Sequence, residues 1–121
     1  MKNKFFVIIC GDPKSTFNEI LIKTLKNKVS KKFKLPIIII CSRKLFENEL
    51  KKLKKKIKLR NFENLNNLIK NNIYIIDVPI NYKTSSIIKK NVYIERSFEI
   101  GLNLLKSKNA LALINGPISK K

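Results

Sequence analysis

The chain has 121 residues, a net charge of +19, two cysteines and no histidine. This length suits one domain that buries roughly two-thirds of its unfolded surface. With no CxxC pair and no histidine, zinc sites of the usual types are excluded, and the lack of histidine also removes the Ser-His and Cys-His dyads. No run approaches the ~20 apolar residues of a membrane span. Because the first apolar run is not followed by a small-residue cleavage site, we expect a cytoplasmic protein.

The positive charge raises the question of a nucleic-acid partner, since lysine and arginine bind phosphates without sequence preference. Only Arg43, Arg60 and Arg96 are arginine, although the planar guanidinium is preferred for bidentate phosphate contacts. Lysine, asparagine and isoleucine, all with A/T-rich codons, make up almost half of the chain. A base bias therefore accounts for the lysines. We do not expect a nucleic-acid partner, and a small basic α/β module that binds RNA or another polyanion remains the alternative function.

The densest charge lies in Lys51–Arg60, where basic residues are interrupted only by Leu53, Ile57 and Leu59. One interpretation is a patch for nucleic acid or lipid. The other is a solvated helix face that passes into a short edge strand around Ile57–Leu59, where lysines discourage pairing with other chains. We favour the second interpretation.

Apolar runs predict four buried strands, near residues 5–10, 36–41, 73–78 and 110–114. Between them, apolar residues at helical spacing predict one helix that begins near Ser15 and a second that follows Ser42 as its N-cap. A third helix is predicted from about Val92 to Lys106. Its buried stripe is formed by Ile94, Phe98, Leu102 and Leu105, with Gly101 as a weak point.

Because strands and helices alternate, the sequence predicts a single α/β unit over residues 1–121, with a mainly parallel sheet flanked by helices. The polar segment Asn81–Lys90 is predicted to be a loop. Cys10 and Cys41 end the first two strands, and we expect both to be small buried thiols rather than a disulfide.

Two strands end in glycine turns, Gly11-Asp12-Pro13 and Gly116-Pro117. Parallel strands bring their carboxyl ends to one edge of the sheet, so the two turns should lie at the same edge. Turns of this kind can present backbone N–H groups to a phosphate or carboxylate, and they are equally common where they only connect a strand to a helix. These five residues are candidate loop residues, and for each we favour the role of shaping a turn.

The two turns and their surroundings resemble the 4-hydroxythreonine-4-phosphate dehydrogenase family of vitamin B6 synthesis. That family opens with a strand and Gly-Asp-Pro-Ala-Gly-Ile-Gly-Pro-Glu, and reaches Thr-Gly-Pro-Ile-Ser-Lys after a helix. The matching positions here are Gly11–Pro13, the Glu19-Ile20 pair and Gly116–Lys120. Lys14–Asn18 replaces Ala-Gly-Ile-Gly-Pro, and Asn115 replaces the threonine.

The resemblance implies the amino-terminal part of a two-domain, homodimeric enzyme with the isocitrate and isopropylmalate dehydrogenase-like fold. Such enzymes oxidise a phosphorylated amino acid with NAD and a divalent metal. The family's metal-binding histidines and its Gly-His-Thr substrate motif follow the Gly-Pro-Ile-Ser-Lys segment, so no catalytic, cofactor-binding or metal-ligating residue is transferred to this chain. We expect the chain alone to be inactive and to bind neither cofactor.

Overall fold

A computed structural model describes residues 4–12, 16–26, 35–80, 87–107 and 109–116, apart from the side chains of residues 87–90. The strands are β1 Phe5–Ile9, β2 Ile37–Cys41, β3 Leu59–Asn61, β4 Ile73–Asp77 and β5 Ala110–Asn115. The helices are α1 Phe17–Lys26, α2 Arg43–Lys52 and α3 Ile87–Leu105, with a short 3-10 helix at Leu65–Asn67. Strands and helices therefore alternate, as the apolar runs predicted.

The five strands form one sheet in the order β3-β4-β2-β1-β5, and every neighbouring pair is parallel. In the central register Ile9 of β1 lies between Ile40 of β2 and Asn115 of β5. The prediction of a parallel α/β sheet that contains all four apolar runs is confirmed. The short edge strand also exists, but it begins at Leu59 rather than at Ile57.

Helices cover both faces of this sheet, and successive strand residues point to opposite faces. On one face, Leu21 and Ile22 of α1 and Phe46 of α2 pack with Ile8 and Ile39. On the other face, side chains of α3 pack against the alternate strand residues; this second cluster includes Val7, Ile9, Ile38, Ile40, Tyr93 and Ile94. Strands buried on both sides explain why each apolar run is continuous rather than alternating.

Helix α3 differs from its prediction in extent and in the exposure of Leu102. It begins at Ile87, so the predicted loop is wrong for residues 87–90, while residues 81–86 lie outside the described part of the chain. Leu102 is 54% exposed instead of buried. Ile94 is buried and Phe98 packs against the core, as predicted. The buried side also includes Tyr93, Ser97 and Gly101, where small residues allow the helix backbone to approach the sheet closely.

Gly101 shows how close this approach is. A Cβ atom placed on it would lie 2.5 Å from Cδ1 of Ile9 and 3.2 Å from Cδ1 of Leu113. Glycine has a low helix propensity, but at position 101 its small size allows α3 to contact β1 and β5. Among the described residues, no helix is long and apolar enough to cross a membrane.

Candidate functional site

The carboxyl edge of the sheet collects the loops that follow β1, β2, β4 and β5. The amide of Gly116, directly after β5, donates a hydrogen bond to the carbonyl of Ile9 at 2.6 Å, at the end of β1. On the other side of β1, the amide of Cys10 donates to Ile40 at 3.2 Å. Gly11 and Gly116 thus lie at the same edge, as the parallel arrangement required.

The first candidate turn bends immediately after β1. Gly11 has a φ of 74°, a left-handed conformation that costs an L-residue roughly 1–2 kcal/mol, and it is buried. Asp12 follows it and is only 9% exposed. The turn therefore places the largely buried Asp12 between the end of β1 and the start of α1.

The second candidate turn is pressed against the first. A Cβ atom on Gly116 would lie 2.1 Å from the carbonyl oxygen of Cys10, a distance that no side chain could occupy. Phe17 at the start of α1 is also near, with Cδ2 3.0 Å from that position. Glycine at 116 is thus accounted for by the packing of two backbones. Contact of Gly11, Asp12 or Gly116 with a ligand stays a prediction, and Pro13 and Pro117 lie outside the described residues.

The start of α2 is the best-defined polar cluster at this edge. The buried Ser42 amide donates to the Tyr93 hydroxyl at 2.8 Å, and the Arg43 amide donates to Oδ1 of Asp77 at 2.9 Å. The Leu45 amide donates to Oγ of Ser42 at 3.3 Å, which confirms Ser42 as the N-cap. These first N–H groups of α2 already have partners inside the protein, so they are not available to hold a phosphate.

Two thiols lie beneath this cluster. Cys10 and Cys41 are both buried and free, and the adjacent register of β1 and β2 makes them neighbours, as their positions at two strand ends indicated. The pKa of Cys41 is raised well above its ordinary value. The largest cause is its hydrogen bond with Cys10, and the second is burial. Burial is also the main cause that raises the pKa of the Tyr93 hydroxyl. Cys41 and Tyr93 therefore stay protonated at neutral pH, and they act as packing and hydrogen-bonding groups rather than as nucleophiles.

The positively charged side chain of Arg43 lies toward the edge strand β3. Its Nη1 donates to Oδ1 of Asn61 on β3, and its Nε lies 3.7 Å from Oε2 of Glu47. Sequence patterns did not single out Arg43 or Tyr93. An isolated arginine after an N-cap has no distinctive spacing. The role of Tyr93 depends on the tertiary placement of α3, which brings its hydroxyl to the Ser42 amide at the start of α2.

The residues described here do not form a metal centre. Among them no group of three histidine, cysteine, aspartate or glutamate residues is arranged to hold a metal ion. What the edge offers is a rigid pair of backbone turns beside a capped helix. Such an arrangement can position a neighbouring chain segment or ligand, and the chain has no histidine, the commonest general base near neutral pH.

The connections around β1 define the class of fold. From β1 the chain passes through α1 to β2 on one side, whereas β5, reached through α3 on the opposite face, lies on the other side. The direction of winding therefore changes between β1 and β5, which is where open α/β sheets bind ligands. The protein is an open, doubly wound α/β protein whose candidate turns flank this switch point.

Two solved structures are similar to this fold. A protein assigned as a 4-hydroxythreonine-4-phosphate dehydrogenase from Salmonella typhimurium matches 98% of this chain with a TM-score of 0.79 and 19% identity. A 4-hydroxythreonine-4-phosphate dehydrogenase from Burkholderia phymatum matches 99% of it with a TM-score of 0.78 and 17% identity. The resemblance that the sequence motifs indicated is confirmed at the level of the fold.

The chain is much shorter than the two proteins that it matches. This chain corresponds to 39% of the Salmonella protein and 38% of the Burkholderia protein. No protein-family model matches the sequence, and no curated protein matches it.

Proposed function

We propose that this chain forms the strand-and-loop framework of an enzyme of the 4-hydroxythreonine-4-phosphate dehydrogenase type, an NAD-dependent oxidoreductase of vitamin B6 synthesis. The supporting observation is the fold similarity over 98% of the chain. The matched Gly11 and Gly116 turns meet at one edge of the sheet, where the motifs place them. The proposal covers residues 1–121 as one α/β unit within a larger two-domain, homodimeric, cytoplasmic enzyme.

In this type of enzyme a divalent metal would polarise the hydroxyl group of the substrate, and NAD would supply the oxidising power. The family holds its metal with three histidines, but this chain has no histidine, and its described residues contain no alternative metal-binding group. The chain does not fit the metal, so we assign it no chemical step. Its part is to hold the Gly11 and Gly116 turns in a fixed relation.

The direct test is an activity assay on the purified 121-residue chain. It should produce no NADH from 4-phosphohydroxy-threonine, NAD and a divalent cation, and it should bind no NAD by calorimetry. A complete dehydrogenase of the family serves as the positive control. Turnover by the chain itself would mean that the catalytic groups lie among residues 1–121 and that the proposed division of roles is wrong.

A second test uses the coding sequence beyond codon 121. The proposal expects an in-frame Gly-His-Thr motif and later histidines, and expects the extended polypeptide to form NADH only when a divalent metal is present. If the extended reading frame has no histidine, or if the extended protein is inactive with metal and substrate, the dehydrogenase proposal fails.

The alternative, a basic module that binds RNA, has no specific support in the structure. Stacking on bases requires exposed aromatic rings among the positive charges. Phe46 and Phe62 flank the basic segment Lys51–Arg60, but Phe46 is fully buried and Phe62 packs against the core. RNA binding should therefore be weak, unselective and lost at moderate salt. Sub-micromolar, sequence-selective RNA binding at physiological salt would favour the alternative.

A further inference from the structure

Asn115 and Gly116 form the single Asn-Gly pair of the sequence, although asparagine is abundant in it. Asn115 is the last residue of β5, and Gly116 begins the turn at the carboxyl edge. The family that the motifs resemble has threonine at position 115, so the pair is a feature of this chain and not of the family pattern. Asparagine before glycine is the most reactive kind of asparagine, because glycine has no side chain to hinder attack by the main chain.

The reaction open to this pair is deamidation. The backbone nitrogen of Gly116 gives its proton to water and bonds to Cγ of Asn115, while the bond between Cγ and Nδ2 breaks and the side-chain nitrogen leaves as ammonia after taking a proton from water. Water then opens the succinimide ring. Attack at Cγ gives aspartate, and attack at the main-chain carbonyl gives isoaspartate, in which the chain continues through Cβ and Cγ. Water has replaced ammonia, so no oxidant or reductant takes part.

In the folded chain the attacking nitrogen is held in place. The Gly116 amide donates to the carbonyl of Ile9 at 2.6 Å, so the proton that must leave is engaged in a hydrogen bond. Asn115 is paired with Ile9 in the parallel register, and ring closure requires its main chain to rotate out of this strand conformation. The backbone has no space for that rotation on its inner side, since a Cβ atom on Gly116 would lie 2.1 Å from the carbonyl oxygen of Cys10.

The surroundings of the pair would not hinder the reaction once this contact opens. Asn115 is exposed, so water reaches the amide group that would be lost, whereas Gly116 is buried. In the described sheet β5 is an edge strand that pairs with β1 on one side. The end of an edge strand can open locally at a lower free energy than unfolding of the whole chain requires.

We propose that Asn115 is a deamidation site that the hydrogen bond from Gly116 to Ile9 keeps unreactive, and that it reacts when the end of β5 opens. Isoaspartate at position 115 lengthens the main chain by one carbon atom, so the Gly116 amide no longer reaches the Ile9 carbonyl while β5 keeps its register. The turn then cannot close again, which makes the modification an irreversible loss of this part of the edge. The inference does not depend on the proposed enzymatic function.

The test compares the full 121-residue chain in buffer and in urea at the same pH and temperature. Peptide mapping by mass spectrometry follows the mass gain at residue 115 that accompanies replacement of the side-chain –NH2 by –OH. The unfolded chain should react at least about tenfold faster than the folded chain, because the opened end of β5 is a minor population of the folded state. Asn115→Thr is the control in which the signal should be absent.

Two leucine variants separate local opening from unfolding of the whole chain. Leu113 and Leu65 are both half-buried and pack against the same core cluster. Leu113 lies on β5, whereas Leu65 lies in the 3-10 helix between β3 and β4, at the other end of the sheet. Leu113→Ala should speed the reaction of the folded chain at least about fivefold, and Leu65→Ala should leave its rate nearly unchanged.

The consequence for the turn is tested on the isolated isoaspartate form. It should be less stable in urea denaturation than Asn115→Asp, which carries the same charge on an unaltered main chain.

Three results would overturn the proposal. The first is an equal rate in buffer and in urea, or no reaction at residue 115 in urea, since the turn would then have no protective role. The second is equal acceleration by Leu113→Ala and Leu65→Ala, which would place the reaction in the fully unfolded chain. The third is an isoaspartate form as stable as Asn115→Asp, which would show that the Gly116 turn closes on a longer main chain.

Discussion

At the scale of single residues, the carboxyl edge is held together by individual side-chain contacts. The hydroxyl of Tyr93 reaches from α3 to the Ser42 amide at the start of α2, at a distance of 2.8 Å. Ser42 is 2% exposed, so water cannot easily replace that hydroxyl. One phenolic oxygen thus joins helices on opposite faces of the sheet.

Tyr93→Phe should lower the free energy of unfolding by about 1–3 kcal/mol, because it leaves the buried Ser42 amide without an acceptor. Urea denaturation measures this change. Tyr74→Phe is the matched control. The Tyr74 hydroxyl accepts from the amide of Ile69 at 2.8 Å and donates to the carbonyl of Asn67 at 3.3 Å, and both hydrogen bonds are only partly buried. Water reaches these groups more easily than the buried Ser42 amide, so the control should lose less stability. Equal losses in both variants would contradict the assigned role of Tyr93.

Gly116→Ala tests the contact between the two turns. The added methyl group would meet the carbonyl oxygen of Cys10 at 2.1 Å, so β5 must move away from β1. We expect a loss of about 1–3 kcal/mol in the free energy of unfolding, as for other overpacked sites. Asn115→Ala, at the exposed neighbouring position, should have a small effect. A Gly116→Ala variant as stable as the unaltered chain would show that the turns are not in contact.

At the scale of elements, α3 is the helix whose position was hardest to predict. Its sequence offers an apolar stripe of Ile94, Phe98, Leu102 and Leu105; Ile94 is buried and Phe98 packs against the core as predicted, but Leu102 is exposed while Ser97 and Gly101 are buried. The small residue at 101 lets α3 lie against Ile9 and Leu113. The hydroxyl of Ser97 is satisfied by the carbonyl of Tyr93 at 2.9 Å, so its burial leaves no unpaired donor.

Gly101→Val should destabilise the protein although valine has a higher helix propensity than glycine. The propensity gain is below about 1 kcal/mol, whereas overpacking against Ile9 and Leu113 costs about 1–3 kcal/mol. Leu102→Val is a suitable control, because Leu102 is 54% exposed on the same helix. Thermal unfolding should show a lower midpoint for Gly101→Val than for the control. A higher midpoint would mean that α3 lies farther from the sheet.

At the scale of the whole molecule, the buried titratable groups make stability depend on alkaline pH. The pKa of Cys41 is raised above its ordinary value of 9.0 by its hydrogen bond with Cys10 and by burial, and the pKa of Tyr93 is raised above 10.0 mainly by burial. Both groups are neutral when protonated. The unfolded state therefore loses these protons at a lower pH than the folded state does.

The free energy of unfolding should consequently stay level below about pH 9 and fall as the pH rises further, by at most about 1.4 kcal/mol per pH unit for each group. Urea denaturation at several pH values from 7 to 10 measures this slope. Cys41→Ala should reduce the slope between pH 9 and 10 relative to its own stability at pH 7. An unchanged slope in that variant would exclude Cys41 as a source of the pH dependence.

The sequence alone determined the alternation of strands and helices, the parallel sheet and the common edge of the Gly11 and Gly116 turns. Continuous apolar runs and glycine turns are local signals, and parallel strands leave few ways to connect them. It also indicated the dehydrogenase-like fold, through two short motifs.

Tertiary structure decided what depends on distances between elements. It placed the Tyr93 hydroxyl on the Ser42 amide, turned α3 onto Gly101, and brought Gly116 against Cys10. It also left Ile20 and Ile114 exposed in an apolar groove that both side chains line, although each belongs to an ordinary apolar pattern in the sequence. Periodicity identifies a residue that can be buried, but only the packing of neighbouring elements decides whether a partner side chain is there to bury it.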